Sequence, residues 1–381
     1  MFSKVIDEIR QLFGTDKQIP LHAPVFCGHE KKYLNECVDS TFVSSVGAFV
    51  GKFERMVSNF TKIPYAVATT NGTSALHMSL LLAGVDRESA VLTQSLSFVA
   101  TANAIVYCQA LPIFIDSDEK NLGMSADSLS SFLEKNCQRN VRGELIHTAS
   151  GRLIKACVPV HVLGHPCDIQ AISAVCGKYG ILIIEDCAES LGSTYLHDQH
   201  TGKASSMATL SFNGNKIVTT GGGGMILFKD EALAQKAKHL TTTAKVPHAW
   251  EFYHDEVGYN YRLPNLNAAL GCAQMECLED FLQRKRSLAQ NYQAFFEKEG
   301  LQFLKEPPGC YSNYWLNAVI LENKKQRDDF LRELNGAQIM SRPLWHLMPT
   351  LPAFQESPRT EMTNAQNYVD KIVNIPSGVI L

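Results

Sequence analysis

Two side chains thirty positions apart could share one piece of chemistry, Asp186 and Lys216. Asp186 ends the apolar run Ile181-Leu-Ile-Ile-Glu-Asp186, which reads as a buried strand carrying a carboxylate to a sheet edge. Lys216 ends the turn Ser211-Phe-Asn-Gly-Asn-Lys216. It is followed by Ile217-Val-Thr-Thr-Gly-Gly-Gly-Gly-Met225, an apolar and Gly-rich stretch suited to close backbone approach. A lysine becomes a nucleophile when burial or neighbouring charge lowers its proton affinity. Alone, Lys216 would be a surface lysine in a turn and Asp186 a strand-end cap. Together they suit pyridoxal 5′-phosphate (PLP), which needs an amine for a Schiff base and a carboxylate to keep its ring nitrogen protonated.

Further residues fit the same cofactor. Gly72, Thr73 and Ser74 open a helix directly after a strand, where free N–H groups and the helix dipole favour a phosphate. A plain N-cap by Asn71 or Thr73 is the alternative. Ser211 could add a hydroxyl to that phosphate. Phe98 follows a strand, where its face could stack on the pyridine ring or simply join the core.

These residues need a scaffold. Strand-like runs at 65–70, 90–93, 111–116, 154–162, 181–185, 208–212 and 224–228 alternate with helical runs at 73–83, 99–108 and 169–179. The alternation predicts an α/β fold with a mostly parallel seven-stranded sheet, helices on both faces and right-handed crossovers. Ligands gather beyond the carboxyl ends of such strands, where the singled-out residues fall. The last two strands are expected to be antiparallel around a turn. After Lys229 the rhythm changes: a helix at 231–242, one long helix or two at 265–297, then short strands and a helix near 325–335. The expected division is an N-terminal helix and linker at 1–20, a large domain at 21–245 and a smaller α+β domain at 246–381.

Composition excludes several classes. A net charge of −3 gives nucleic acid no electrostatic footing, and no polybasic stripe suits a membrane surface. No apolar run approaches spanning length. Eleven cysteines form no C-x-x-C pair, and no secretory leader is evident in the charged start, so free thiols in a reducing cytoplasm are expected. Cys and His lack metal-ligand spacing, so no metal is expected. Gly221–Gly224 lacks the strand–turn–helix context of a dinucleotide fingerprint. His161 and Trp315 suit either the core or the site.

From Ile19 nearly to its end the chain resembles the DegT/DnrJ/EryC1/StrS family of PLP-dependent sugar aminotransferases, of fold type I. The landmarks are Asn71-Gly-Thr-Ser-Ala-Leu76, Phe98-Val-Ala-Thr-Ala-Asn-Ala-Ile105, Pro159-Val-His-Val-Leu-Gly164, Glu185-Asp-Cys-Ala-Glu-Ser190, Ser211-Phe-Asn-Gly-Asn-Lys216 and the segment from Gly258 to Gly271. The resemblance implies Schiff-base formation at Lys216, the pyridinium partner at Asp186, stacking at Phe98 and phosphate contacts from Gly72, Thr73 and Ser211. It puts Glu189, at a position often Gln, by the phenolic oxygen of the cofactor. It puts Asn260 at the phosphate of a neighbouring subunit, which implies a homodimer with shared active sites. Ser45, in an N-terminal loop, and His161, Arg342 and His346 are its candidates for substrate contacts.

Two departures narrow the resemblance. Asn213 stands where the family commonly has His, and Gly222 where it has Glu. With Ile19-Pro-Leu-His22 and Ser40-Thr-Phe-Val-Ser-Ser-Val-Gly47, they resemble the subset acting on UDP-4-keto-6-deoxy-N-acetylhexosamines in bacillosamine and legionaminic acid pathways. The implied reaction moves an amino group from L-glutamate to C4 of such a sugar. A C3-aminotransferase and a PLP-dependent dehydratase are rivals, although dehydratases of the family carry His in place of Lys216. A non-catalytic PLP-binding regulator is the rival from another class.

Overall fold

The computed structural model describes residues 2–196 and 198–381. The chain opens with α1 (Ser3–Phe13), α2 (Glu30–Asp39) and α3 (Ala48–Thr61). The alternating part follows: β1 (Tyr65–Thr69), α4 (Gly72–Leu82), β2 (Ser89–Gln94), α5 (Ala100–Tyr107), β3 (Leu111–Ile115) and α6 (Ala126–Asn136). It continues with β4 (Cys137–Arg139), β5 (Leu145–His147), β6 (Leu153–Val158), α7 (Ile169–Tyr179), β7 (Leu182–Asp186), β8 (Thr194–Tyr195), β9 (Gln199–His200), β10 (Met207–Ser211) and β11 (Gly224–Phe228).

The seven strands read from sequence form the main path of one sheet, in the order β1-β11-β10-β7-β6-β2-β3. Strands β10, β7, β6, β2 and β3 run parallel, and β11 is antiparallel to both β10 and β1. The short hairpin β4–β5 attaches to β6 and raises the sheet to nine strands. Its two three-residue strands are too short to show an alternating pattern. Both faces are covered, and single strands show how. Val67 and Ile226 pack under α4, α5 and α8 (Glu231–Thr241), beside Leu76, Leu80, Ile105 and Ala234. Their neighbours Ala68 and Leu227 point the other way, toward Phe53 and Val57 of α3. A period of two with both phases apolar is what a doubly covered sheet requires.

The remainder comprises β12 (Lys245–Val246), β13 (Tyr253–His254), α9 (Asn265–Glu276), α10 (Leu278–Lys298), β14 (Gln302–Phe303), β15 (Asn317–Ile320), α11 (Lys324–Gly336), β16 (Arg342–Pro343), α12 (Thr363–Lys371) and β17 (Ile372–Ile375). Strands β14, β15, β17 and β16 make a second, antiparallel sheet. Its core joins Val319, Val373, Phe330 and Tyr292 to Val5 and Ile9 of α1. In contrast, Ala268 and Cys272 of α9 pack in the cluster of α3 and the large sheet. The first helix thus shares its core with the second sheet, and α9 shares its core with the first. Among the described residues no helix is long and apolar enough to cross a membrane.

Candidate active site

The carboxyl ends of β1, β10 and β7 meet at one sheet edge. In the register, Thr209 lies opposite Asp186, and Gly224 lies between Ser211 and Thr69. Gly224 must lack a side chain: a Cβ there would sit 2.3 Å from the Asn71 carbonyl oxygen. Beyond β1, the Asn71 side chain caps α4 by accepting from the Ser74 N–H at 2.8 Å. A Cβ on Gly72 would lie 2.9 Å from Ser211 Cβ, so the helix start and the end of β10 are in tight contact. Gly72, Thr73 and Ser211 line one cavity of about 320 Å³, together with Phe98, Asp186, Glu189 and Lys216. The start of an eleven-residue helix flanked by two hydroxyls fits a phosphate group.

Asp186 is buried. Its Oδ2 accepts from Thr101 Oγ1 at 2.9 Å and its Oδ1 from the Ala188 N–H at 3.1 Å. Among the described residues no cationic group lies within ion-pair distance of it. Burial pushes this carboxyl up, against the pull of the Thr101 and Ala188 bonds and of Lys216. A buried acid lacking a close cation fits a protonated ring nitrogen. The Lys216 amine, with 12% of its side chain exposed, lies 3.5 Å from Glu189 Oε1 and 3.7 Å from the centre of the Trp315 ring. Burial pushes Lys216 below an ordinary lysine, while Glu189 and Asp186 oppose the shift. Glu189 Oε2 accepts from the N–H of Leu163 at 2.7 Å. Burial pushes the Glu189 carboxyl up to about 7. These residues fit PLP on both counts, a phosphate cradle and an amine–acid pair.

Cavity volume alone would not select this site. A larger groove of about 580 Å³ is lined by Asp127, Lys135 and Arg359. Its buried acid, Asp116, is already occupied by the N–H groups of Ser117, Asn364 and Ala365.

The residue before Asp186 faces the other way. Glu185 is fully buried and accepts from the N–H groups of Gly202 and Ser205 and from Ser205 Oγ, each at 2.9 Å. His161 Nδ1 accepts from the Cys167 N–H at 3.1 Å, which leaves the proton on Nε2 to be donated to Glu185 Oε2 at 3.0 Å. Burial would raise the Glu185 carboxyl, yet His161 and these N–H groups hold it below the usual range. This network pins the strand end that presents Asp186. His161, Glu185 and Cys187 are close enough to share a cation, but the protein's own donors already engage His161 and Glu185.

Of the twelve residues given a catalytic, cofactor or substrate role from the sequence, seven therefore line one cavity and five do not. His161 is wholly buried outside the cavity lining, which its neighbour Val160 joins, so of its two readings the structure places it in the core. Arg342 is exposed and bonds the Ser341 carbonyl and Asn335. His346 is exposed, while the adjacent Trp345 lines the cavity edge-on to Phe98, 6.3 Å between ring centres. Ser45 is half-buried in the 41–47 turn, outside the lining. Asn260 is exposed, its backbone bridged to Thr242. Sequence reasoning missed Trp345, although it had singled out the segment containing it. It also missed Thr101, inside the Phe98 landmark, and left Trp315 undecided. Trp315 is 3% exposed and lines the cavity.

Residues 27–381 match the DegT/DnrJ/EryC1/StrS aminotransferase family. The chain is 34% identical over 340 residues to the GDP-perosamine synthase of Escherichia coli O157:H7, covering 89% of this chain and 88% of that one. It is 33% identical over 362 residues to the GDP-perosamine synthase of Vibrio cholerae, covering 94% of each. Among solved structures, Helicobacter pylori PseC, an aminotransferase involved in the biosynthesis of pseudoaminic acid, superimposes with a TM-score of 0.83. The two are 21% identical, with 94% of each chain covered. The fold is that of fold type I PLP-dependent aminotransferases, the cofactor is PLP and the chemistry is sugar amination. The chain belongs to the DegT/DnrJ/EryC1/StrS aminotransferase family.

Proposed function

We propose that this enzyme moves an amino group from L-glutamate to C4 of a nucleotide-linked 4-keto-6-deoxy sugar. The proposed sugar is UDP-2-acetamido-2,6-dideoxy-hexos-4-ulose, made for a surface glycan of the nonulosonic acid or bacillosamine type. The observation that carries the reading is the burial of Lys216 and Asp186 in one cavity at the start of α4. When bound, PLP supplies an electron sink that makes the α-hydrogen of an amino acid acidic.

The chain's residues divide the remaining work. Lys216 would hold the cofactor through its amine, and once free that amine would serve as the base and acid for proton transfer. Asp186, desolvated and held by Thr101, keeps the ring nitrogen protonated. Gly72, Thr73 and Ser211 would hold the phosphate, and Phe98 and Glu189, in the same lining, would contact the ring and its phenolic oxygen. A cavity of about 320 Å³ suits the cofactor and a small dicarboxylate. The nucleotide must extend beyond this cavity, past the Phe98–Trp345 pair, and Ser45, Arg342 and His346 are the residues proposed to meet it. Asn260, exposed and outside the lining of this cavity, would serve the phosphate of a second subunit in a homodimer.

The UDP sugar is favoured by Asn213 and the four glycines at 221–224. A GDP-linked sugar is the second reading, favoured by the relatives named for GDP-perosamine. The test is a panel: purified protein, L-glutamate and UDP- or GDP-linked 4-keto-6-deoxy sugars, read by mass spectrometry and by NMR ring couplings. Amination of the UDP-acetamido sugar at C4 is expected. Turnover of GDP sugars alone would select the second reading, and an amine at C3 would contradict both.

A further inference from the structure

One side chain controls both ends of Lys216. Trp315 enters the site on the segment that leads into β15, and it is immobilised there. Its backbone N–H donates to Asn313 Oδ1 at 2.7 Å, and its carbonyl accepts from the buried Lys285 amine at 3.2 Å. Asn313 in turn donates to the carbonyls of Glu189 and Leu191, each at 2.9 Å. The fit tolerates no crowding: a Cβ on Gly164, whose φ is +90°, would overlap Asn313 Oδ1 at 1.9 Å. So anchored, the indole N–H donates to the carbonyl of Asn215 at 2.7 Å, across the peptide bond that precedes Lys216. The face of the same ring lies 3.7 Å from the lysine amine. An indole face attracts an ammonium through its quadrupole, more strongly where water is excluded.

We propose that Trp315 is a positioning residue for Lys216, gripping the lysine's backbone through its indole N–H and seating the free ammonium on its ring whenever the amine is released from the cofactor. The proposal rests on the reading of Lys216 as the reactive amine. It adds a parking place for that amine between its two tasks. The charged and titratable groups around the amine are Glu189 at 3.5 Å, Asp186 within the same cavity, and His22 of the N-terminal segment, which is in electrostatic reach of both Lys216 and Lys285. Glu189 and Asp186 draw the proton onto Lys216 and burial drives it off. The ring face tips this balance toward the ammonium and holds it in one place.

The test uses the full chain freed of cofactor and reads the amine directly. The chain has three tryptophans, so Trp250→Phe and Trp345→Phe leave Trp315 as the one position that takes up supplied fluorotryptophans. Successive fluorination drains the indole face without changing its shape. Cyanate carbamoylates neutral amines, and peptide mass spectrometry follows its reaction at Lys216 against pH. The midpoint should fall stepwise with fluorine content, by about half a pH unit at the highest substitution. A midpoint that stays fixed across the series, or rises, overturns the proposal. Because neither PLP nor sugar is present, this result is separable from failure of the transamination reading, which the substrate panel decides.

Discussion

The floor and the mouth of the cavity are built differently. On the floor, Asp186, Ser211 and Lys216 sit at or beyond the ends of β7 and β10, with Asp186 buried and Glu185 behind it held by the N–H groups of Gly202 and Ser205. The side chains proposed for the mouth, Ser45, Arg342 and His346, lie on a bend, a two-residue strand and a loop, partly or wholly exposed and outside the cavity lining. The floor is fixed by one chain's own hydrogen bonds. The mouth has surface left over, as a region has that meets a large ligand or a second subunit. Chemistry common to a family belongs on the first kind of structure, and substrate choice on the second.

Substitutions can break this contrast. The largest stability effect is expected at Glu185. Removing its carboxylate strands the N–H groups of Gly202 and Ser205 and the His161 ring, so Glu185→Ala should cost about 3–5 kcal/mol in urea unfolding. A loss below about 1 kcal/mol would mean the floor is not pinned as described. Asp186→Asn keeps the shape and removes the charge. It should retain PLP yet lower the rate of the glutamate half-reaction roughly 10²–10³-fold, the scale of losing one preorganised electrostatic partner.

Glu189 gives the contrast a pH signature. Its carboxyl is raised from 4.5 to about 7 by burial, so between those values the folded chain holds a proton that the unfolded chain has lost. Stability of the cofactor-free protein should therefore fall as pH climbs from 4.5 to 7 and level off above. Glu189→Gln should remove on the order of 3 kcal/mol of that fall. Asp186, raised by burial too, leaves a residual slope in the same direction. The smallest effects belong to the mouth. Arg342→Ala or His346→Ala should raise KM for the nucleotide sugar roughly tenfold, about 1.4 kcal/mol, without moving the unfolding midpoint. A mouth substitution that destabilised the protein as much as Glu185→Ala would erase the distinction.

The contrast also explains what could be read from residues alone. Floor residues stand at strand ends, where apolar runs stop on a polar side chain. Asp186, Ser211 and Gly72 were legible for that reason, as were all seven strands of the main path. Helix α3 carried a signal that went unread, with Phe53, Val57 and Thr61 buried at four-residue spacing. Helix α2 did not, since it buries only Glu30 and Cys37 and so has no apolar stripe. The pairing of α1 with the second sheet and of α9 with the first depends on long-range packing that local pattern cannot report. Trp315 was ambiguous because a buried indole in the core and one under a lysine share the same local sequence. His161 was open for a related reason: its polar partner, Glu185, lies on β7, distant in the sequence.

Lys216 is the side chain proposed to take the cofactor. Protein supplied with PLP and treated with borohydride, then digested, should carry a reduced pyridoxyl group on the peptide containing Lys216 and on no other. A label on another lysine, or an unlabelled Lys216 peptide in protein that has bound PLP, would contradict it.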